Sequence, residues 1–190
     1  MQLLPTPLPG VLIVEPAVFG DERGWFMESF NEARWTAGLA ALGLPAPRFV
    51  QDNHSCSQAG VLRGLHHQLP PHAQGKLVRV VQGAAFDVAV DIRAGSATFG
   101  QWFGIELNAD NRRQLWIPPG FAHGFLALQD HTHFLYKTTD VYARDCERSV
   151  RWDDPAIGIR WPLPPGCRAP LVAPKDAAAP LLTDADLPQL

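Results

Sequence analysis

The stretch LRGLHHQLPPHAQGK, residues 62 to 76, concentrates side chains that can hold protons, anions or metal ions. Besides three histidines it contains Arg63 and Lys76. A free imidazole has a pKa of about 6.5, so it exchanges protons near neutral pH, and in its neutral form it is also a common metal ligand. The stretch is therefore a candidate for either a metal site or an acid–base site with cationic side chains for an anion.

A second segment, WIPPGFAHGF at residues 116 to 125, bears on this choice, because it matches the P-x-G-x-x-H spacing of the second cupin motif and ends that motif at His123. Metal-binding cupins add an H-x-H pair followed by a glutamate. Here His66 and His67 are adjacent, so on a regular strand they point to opposite faces. Lys76 lies downstream where no glutamate occurs, and an ammonium group repels a cation. The ligand chemistry favours an acid–base site without a metal.

The composition describes an ordinary globular chain of 190 residues, with 46% hydrophobic and 18% charged residues and a net charge of -3. We expect one domain over residues 1–190, because a chain of this length can bury a sizeable core. There is no basic excess of the kind that a nucleic-acid surface requires, so no nucleic-acid partner is expected.

The cellular compartment is predicted from the cysteines and the N-terminus. Cys56, Cys146 and Cys167 are odd in number, widely spaced and without a CxxC pair, which is typical of free thiols in a reducing cytoplasm. The first residues, MQLLPTPLPG, lack a basic segment and are interrupted by prolines, and no later apolar run reaches membrane-spanning length. We expect a cytoplasmic protein without a membrane partner.

Short β-rich runs separated by glycine, asparagine and proline turns predict an all-β jelly-roll barrel or sandwich with few helices. One of them, AFDVAVDI, alternates apolar residues with Asp87 and Asp91, which could line a cavity or face solvent. Residues 31 to 42 alone predict a longer helix, with Asn31 as N-cap and Trp35, Leu39 and Leu42 spaced for one apolar side. The runs lie at residues 11–15, 25–30, 49–51, 61–65, 76–81, 85–92, 101–107, 113–117, 125–128, 133–138 and 149–152.

Several of these segments together resemble the dTDP-4-dehydrorhamnose 3,5-epimerase family, over about residues 3 to 182. The matching segments are VFGDERGWFMESF, FVQDNHS, VLRGLHHQ, AQGKLVRVVQGAAFDVAVDIR, RQLWIPPGFAHGFLAL and FLYKTTDVY. The resemblance implies a cupin jelly roll that acts as a homodimer without a metal or other cofactor. It also implies a dTDP-4-keto-6-deoxy-hexose substrate, epimerised at C3 and C5 to dTDP-4-dehydro-L-rhamnose, which a reductase then converts to dTDP-L-rhamnose.

The resemblance assigns four catalytic residues. His66 matches the base that removes a proton beside the ketone, and Asp176, in the segment APKDAAAPLL, matches the aspartate that orients it. Tyr136 matches the proton donor, and a phenol with a pKa of about 10 stays protonated until it is needed. Lys76 matches the lysine near the sugar carbonyl, where an ammonium stabilises enolate charge.

The resemblance also assigns substrate-binding residues. Arg63 carries a planar guanidinium that suits the oxygens of a diphosphate, and His123 is expected to line the same pocket. Lys76 belongs to this set as well. The remaining nucleotide contacts, some of them supplied by the partner subunit, are expected from Arg23, Phe26, Glu28, Gln51 and Asn53.

Other interpretations remain open at the level of sequence. Tyr136 could be a core aromatic and Arg63 a structural ion-pair partner, while His67, at a position that is usually aromatic in the family, is expected to be a packing substitute. A mono-epimerase of a related dTDP-keto-sugar could use the same base and acid on one carbon. A non-catalytic cupin that binds a sugar nucleotide is the alternative from a different class, because a fold does not establish chemistry.

Overall fold

The computed structural model describes residues 1–189. These residues form mostly short strands, and no helix among them has the length and apolar composition to cross a membrane. The helices are α1 (Glu32–Ala41), a 3-10 turn (Arg144–Cys146) and α2 (Pro174–Ala177). The strands are β1 (Gln2–Pro5), β2 (Leu12–Glu15), β3 (Val18–Asp21), β4 (Gly24–Met27), β5 (Gln51–Ser57), β6 (Val61–Gln68), β7 (Lys76–Gln82), β8 (Ala84–Asp91), β9 (Trp102–Asn108), β10 (Gln114–Ile117), β11 (Phe121–Ala127), β12 (Thr132–Thr138), β13 (Glu147–Ser149) and β14 (Leu171–Val172).

Two antiparallel sheets carry the fold. The first has the strand order β1-β2-β10-β7-β12-β5, and the second has the order β13-β6-β11-β8-β9. The short strand β14 adds to β6 in parallel, and β3 pairs with β4 in a separate hairpin. The all-β jelly-roll class that was predicted from the sequence is confirmed.

The inner faces of the two sheets share one apolar core. Val78 and Leu115 come from the first sheet, and Ala89 comes from the second. Across the interface, Phe125 stacks on Phe134 with ring centroids 4.0 Å apart and planes 5° from parallel. This core fixes the separation of the sheets, so it also fixes the side chains that share their inner faces.

Both sheets are covered on the outside too. Helix α1 packs Trp35 and Leu39 against outward residues of the first sheet, such as Trp116. On the second sheet, Val88 and Val90 lie under the C-terminal segment. Strand β8 is therefore apolar on both sides, and the only carboxylates on its inner face are Asp87 and Asp91, both of which are fully buried.

Helix α1 forms where it was predicted. Asn31 is its N-cap, since its side-chain oxygen accepts a hydrogen bond from the backbone N–H of Arg34 at 3.0 Å. Trp35 and Leu39 are buried, but Leu42 follows the last helical turn and is 40% exposed. The expectation that Leu42 shares the apolar side of the helix is wrong, because the helix ends one residue before it.

The largest error in the predicted strands is at β5. Residues 49–51 were predicted to be extended, whereas the strand runs from Gln51 to Ser57. Its sequence QDNHSCS is polar on both faces, so apolar alternation gives no signal. Strands β1, β3 and β14 also lie outside the predicted runs, and β11 begins at Phe121 rather than at residue 125.

The packing of α1 makes a paired stability test possible, because Leu39 is fully buried and Leu42, three residues later, is partly exposed. We expect Leu39→Ala to lower the free energy of unfolding by about 2 to 5 kcal/mol through lost burial and a cavity. Leu42→Ala should change it by less than about 1 kcal/mol. Urea denaturation followed by circular dichroism measures both, and equal losses would contradict the packing described here.

Candidate active site

One cleft of about 540 Å³ opens between the two sheets and the segment that contains β14 and α2. All four predicted catalytic residues line it, together with Arg63 and His123. The full lining is Ser55, Val61, Leu62, Arg63, His66, Lys76, His123, Phe125, Tyr136, Glu147, Leu171, Val172, Ala173, Lys175 and Asp176.

His66 and Asp176 form the hydrogen bond at the centre of the cleft, between Nε2 and Oδ1 at 2.7 Å. Strand β14 pairs with β6, and this brings α2, with Asp176 on it, beside His66. Burial alone would raise the pKa of Asp176, but the hydrogen bond and charge of His66 and the amide of Gly64 lower the pKa overall. With this carboxylate ionised, Nε2 of His66 donates the bond and Nδ1 keeps the lone pair that can accept a proton.

Gly64 permits this arrangement on β6. Its φ of +133° is a conformation that favours glycine, and a Cβ there would lie 2.9 Å from the carbonyl oxygen of His123. The Gly64 amide donates to Oδ2 of Asp176 at 3.3 Å. Both oxygens of the carboxylate are thereby held, one by the imidazole and one by the backbone.

Lys76, at the start of β7, places its ammonium next to His66, with Nζ 3.4 Å from the His66 carbonyl oxygen. Burial lowers the pKa of Lys76 to about 8, although the carboxylates of Asp87 and Glu147 act in the opposite direction. At neutral pH the group is still mostly charged, and it is poorly hydrated. A desolvated cation of this kind interacts strongly with negative charge that develops beside it.

Tyr136, on β12, also faces the cleft. Burial raises its pKa, and so does the carboxylate of Glu147, while the cations of Arg63 and Lys175 oppose the rise. The phenol is therefore protonated at neutral pH and can donate a proton. Its ring packs at the edge of the core cluster as well, so the side chain is both a core aromatic and a cleft residue.

A second imidazole–carboxylate pair begins at the cleft wall, where Nε2 of His123, a lining residue, is 2.7 Å from Oδ1 of the fully buried Asp87. Burial lowers the pKa of His123, against the opposing effect of the Asp87 carboxylate. Asp87 is thus a buried residue paired with a cleft residue. Asp91 is equally buried but belongs to a local turn, because its oxygens accept hydrogen bonds from Arg93, Ser96 and Thr98.

Arg63 lies at the mouth of the cleft, where its Nε donates to Oγ of Ser57 at 3.1 Å. Among residues 1–189 no carboxylate pairs with its guanidinium, so the alternative of a structural ion pair does not hold. Lys175, also at the mouth, is bonded to Glu147 at 3.0 Å. The mouth therefore presents one cation with free donor groups and one that is already paired.

Gln51 and Asn53 lie on β5 near this cleft rather than in its lining. Nε2 of Gln51 donates to Oδ1 of Asn53 at 3.0 Å, and Oε1 of Gln51 accepts from the backbone amide of Tyr142 at 2.9 Å. Asn53 is the register partner of Tyr136. Asn53 thus lies directly opposite Tyr136, the predicted proton donor, and Gln51 lies opposite Thr138 on the same pair of strands.

The other three predicted nucleotide-binding residues are remote from the cleft of their own chain. Arg23 is in the exposed turn of the β3–β4 hairpin and pairs with Asp21. Phe26, on the same hairpin, is 69% exposed. Glu28 follows it and accepts a hydrogen bond from Nδ2 of Asn31 at 3.1 Å.

Sequence reasoning missed some cleft residues. Glu147 accepts hydrogen bonds from Lys175 and from the hydroxyl of Tyr142, and no motif points to it. Lys175 directly precedes Asp176 in the segment that was singled out, so adjacency was an available signal. Ser55 lies in β5, where the strand itself was not predicted.

His67 points away from His66, as the alternation of a strand requires. Its Nε2 lies 2.9 Å from the carbonyl oxygen of Asp186, and burial lowers its pKa to about 4. The ring is therefore uncharged at neutral pH and joins β6 to the C-terminal segment. Its expected role as a packing residue agrees with these contacts.

The arrangement supplies what proton transfer next to a carbonyl group requires. His66 is an imidazole oriented by Asp176, Lys76 is a cation beside it, and Tyr136 is a protonated phenol in the same cleft. Within residues 1–189 no group of three or more His, Cys, Asp or Glu side chains is arranged to hold a metal ion.

Comparison with known proteins agrees with this chemistry. The sequence model of the family described as dTDP-4-dehydrorhamnose 3,5-epimerase matches residues 5–184. The enzyme of that name from Shigella flexneri is 54% identical over 186 residues, 98% of each chain, and that from Pseudomonas aeruginosa is 54% identical over 94% of each. A solved structure of dTDP-6-deoxy-D-glucose-3,5-epimerase from Legionella pneumophila, in complex with dTDP-4-keto-L-rhamnose, superposes with a TM-score of 0.91 at 49% identity, covering 100% of this chain and 98% of that one.

The two lysines of the cleft make the electrostatics testable. Burial lowers the pKa of Lys76 to about 8. Some burial acts on Lys175 as well, but the hydrogen bond of Lys175 to Glu147 and the nearby carboxylates raise its pKa above the ordinary value. At pH 8 about half of the Lys76 amines are neutral, and neutral amine is the form that reacts. We expect acetic anhydride to modify Lys76 on the order of ten times faster than Lys175, measured by peptide mass spectrometry.

The pH dependence provides the control. The rate at Lys76 should rise with pH and level off about one unit above its pKa of about 8, while the rate at Lys175 keeps rising. Equal rates at pH 8, or faster modification of Lys175, would contradict the described desolvation of Lys76.

Proposed function

The chain belongs to the dTDP-4-dehydrorhamnose 3,5-epimerase family, and we propose that its cleft epimerises C3 and C5 of dTDP-4-dehydro-6-deoxy-glucose by acid–base chemistry. The observation that carries the proposal is the hydrogen-bonded pair of His66 and Asp176 in one cleft with Lys76 and Tyr136. The product is dTDP-4-dehydro-L-rhamnose.

The chemistry follows from the C4 ketone of the substrate. A hydrogen on C3 or C5 is acidic because the resulting carbanion is delocalised as an enolate. Nδ1 of His66 takes this proton, and Asp176 stabilises the imidazolium that forms. The Lys76 ammonium stabilises the negative charge on the ketone oxygen. Tyr136 then gives its hydroxyl proton to the carbon from the opposite side, which inverts that centre, and solvent restores both protonation states.

The dTDP part of the substrate is held at the mouth of the cleft. The guanidinium of Arg63 has free donors for diphosphate oxygens and is oriented by Ser57. His123 lines the interior, where its pairing with Asp87 fixes the ring. Gln51 and Asn53, next to Tyr136, are placed to contact the nucleotide.

A homodimer accounts for the position of the β3–β4 hairpin. Phe19, Trp25 and Phe26 are 64%, 54% and 69% exposed on it, an apolar surface that favours a protein partner. Arg23 lies on the same hairpin, away from its own cleft. We infer that the hairpin packs on a second copy and that Arg23, Phe26 and Glu28 complete the partner's nucleotide site.

The cellular setting is proposed on a different basis. All three cysteines are free thiols, which is consistent with a reducing compartment. We therefore place the reaction in the cytoplasm. We further propose that residues 1–190 act as one domain, since the family match spans residues 5–184.

Proton NMR in D2O tests the reaction directly. With dTDP-4-dehydro-6-deoxy-glucose and chelator-treated enzyme, we expect deuterium to enter at both C3 and C5. His66→Ala and Tyr136→Phe should lower turnover by about 10²- to 10⁴-fold, because each removes a proton-transfer group. Affinity for dTDP, measured by calorimetry, should stay nearly unchanged.

The adjacent histidine serves as a matched control. His67→Phe changes a ring that faces the other side of β6, so it should keep most of the activity. Exchange at a single carbon would indicate a mono-epimerase, and no exchange would leave a sugar-nucleotide binding protein without this activity.

The proposed dimer predicts complementation between two defective chains. In a heterodimer of His66→Ala and Arg23→Ala subunits, one of the two clefts contains an intact His66 and receives an intact Arg23 from the partner. We therefore expect the two variants, each of low activity alone, to recover activity when co-expressed and purified through two different tags.

The opposite result is equally informative. If the purified heterodimer stays as inactive as its parents, Arg23 acts within its own chain or not at all. Sedimentation equilibrium of the wild-type chain is the accompanying control, because a monomer would exclude the shared site irrespective of the activity data.

A further inference from the structure

Strand β5 carries four polar side chains on its inward face, at alternate positions 51, 53, 55 and 57. Gln51 and Asn53 are bonded to each other. Ser57 accepts a hydrogen bond from Arg63. Three of the four side chains thus have partners inside the protein, and Ser55 is the exception.

The hydroxyl oxygen of Ser55 is buried and has no hydrogen-bond partner within residues 1–189. Ser55 nevertheless lines the cleft with His66, Tyr136 and Phe125. It stands opposite Phe134, so the surrounding wall is largely apolar. Buried polar groups almost always have a partner, and one that has none in a cleft is a candidate contact for a ligand.

We propose that the Ser55 hydroxyl binds a hydroxyl group of the hexose, which makes Ser55 a sugar-binding residue. The inference rests on the proposed function, because it takes the ligand of the cleft to be a sugar nucleotide. The serine side chain turns about a single bond, so its oxygen can swing from the wall toward a bound sugar. A hydroxyl both donates and accepts, as a sugar hydroxyl does.

The charges of the cleft favour the sugar over the diphosphate as the partner of Ser55. Phosphate oxygens are anionic, and the cations suited to them, Arg63 and Lys175, lie at the mouth. Ser55 sits on the wall with the proton-transfer residues His66 and Tyr136, where the ring of the hexose has to lie for C3 and C5 to react. Its hydroxyl is neutral and therefore fits a neutral partner.

Calorimetry with two ligands tests the inference. For Ser55→Ala we expect the Kd of dTDP-glucose to rise about 3- to 10-fold, the loss of one neutral hydrogen bond, while the Kd of dTDP changes less than about 2-fold. The KM of the keto-sugar substrate should rise similarly, with deuterium still entering at C3 and C5. Deuterium exchange by the wild-type enzyme tests the proposed epimerisation, whereas calorimetry with Ser55→Ala tests the sugar contact. Failure of one claim is therefore distinguishable from failure of the other.

The matched control is Ser57→Ala on the same face of β5. It releases Arg63, so we expect it to weaken dTDP and dTDP-glucose equally and to lower the thermal midpoint. Ser55→Ala should not lower the midpoint, because no hydrogen bond inside the protein is lost. Unchanged binding of dTDP-glucose by Ser55→Ala, an equal loss for both ligands, or a clear loss of thermal stability would each overturn the assignment to the sugar.

Discussion

Successive side chains of a strand point to opposite faces of its sheet. In this fold both faces of the two sheets are in use, because each packs against other parts of the chain or lines the cleft. The inner faces hold an apolar core at one end and a polar cleft at the other. The outer faces are covered by α1 on one sheet and by the C-terminal segment on the other. This constraint sends His66 into the cleft and His67 to the carbonyl oxygen of Asp186, although the two residues are adjacent.

The chemistry of the cleft depends on partial burial. Removing water raises the cost of charge, so the pKa of Lys76 falls to about 8 while that of Tyr136 rises. Burial alone would raise the pKa of Asp176, but the groups bonded to its carboxylate lower that pKa and keep the carboxylate ionised. One cleft can therefore hold an ionised carboxylate, an ammonium group and a protonated phenol at the same pH, because each has different neighbours.

Segments far apart in the chain build this environment. Strand β14 pairs with β6, and this pairing sets Asp176 beside His66 across 110 positions of sequence. The β3–β4 hairpin differs from these segments, because its aromatic residues are exposed and do not pack into the core of their own chain. A site that draws on a distant segment, and in our proposal on a second chain, ties catalysis to the completion of the fold.

The sequence by itself determined the all-β class and the capped helix at Asn31, because strand alternation and capping are local properties. It also indicated the residues that could carry protons, through their match to the motifs of a known family. It could not define β5, whose polar residues on both faces give no periodic signal. Only the tertiary structure decided that Asp87 is interior and paired with His123, and that Arg63 has no carboxylate partner among residues 1–189. It also decided that the Ser55 hydroxyl has no hydrogen-bond partner among these residues. These outcomes depend on which strands become neighbours, and contacts between distant segments set burial, pKa and hydrogen-bond partners.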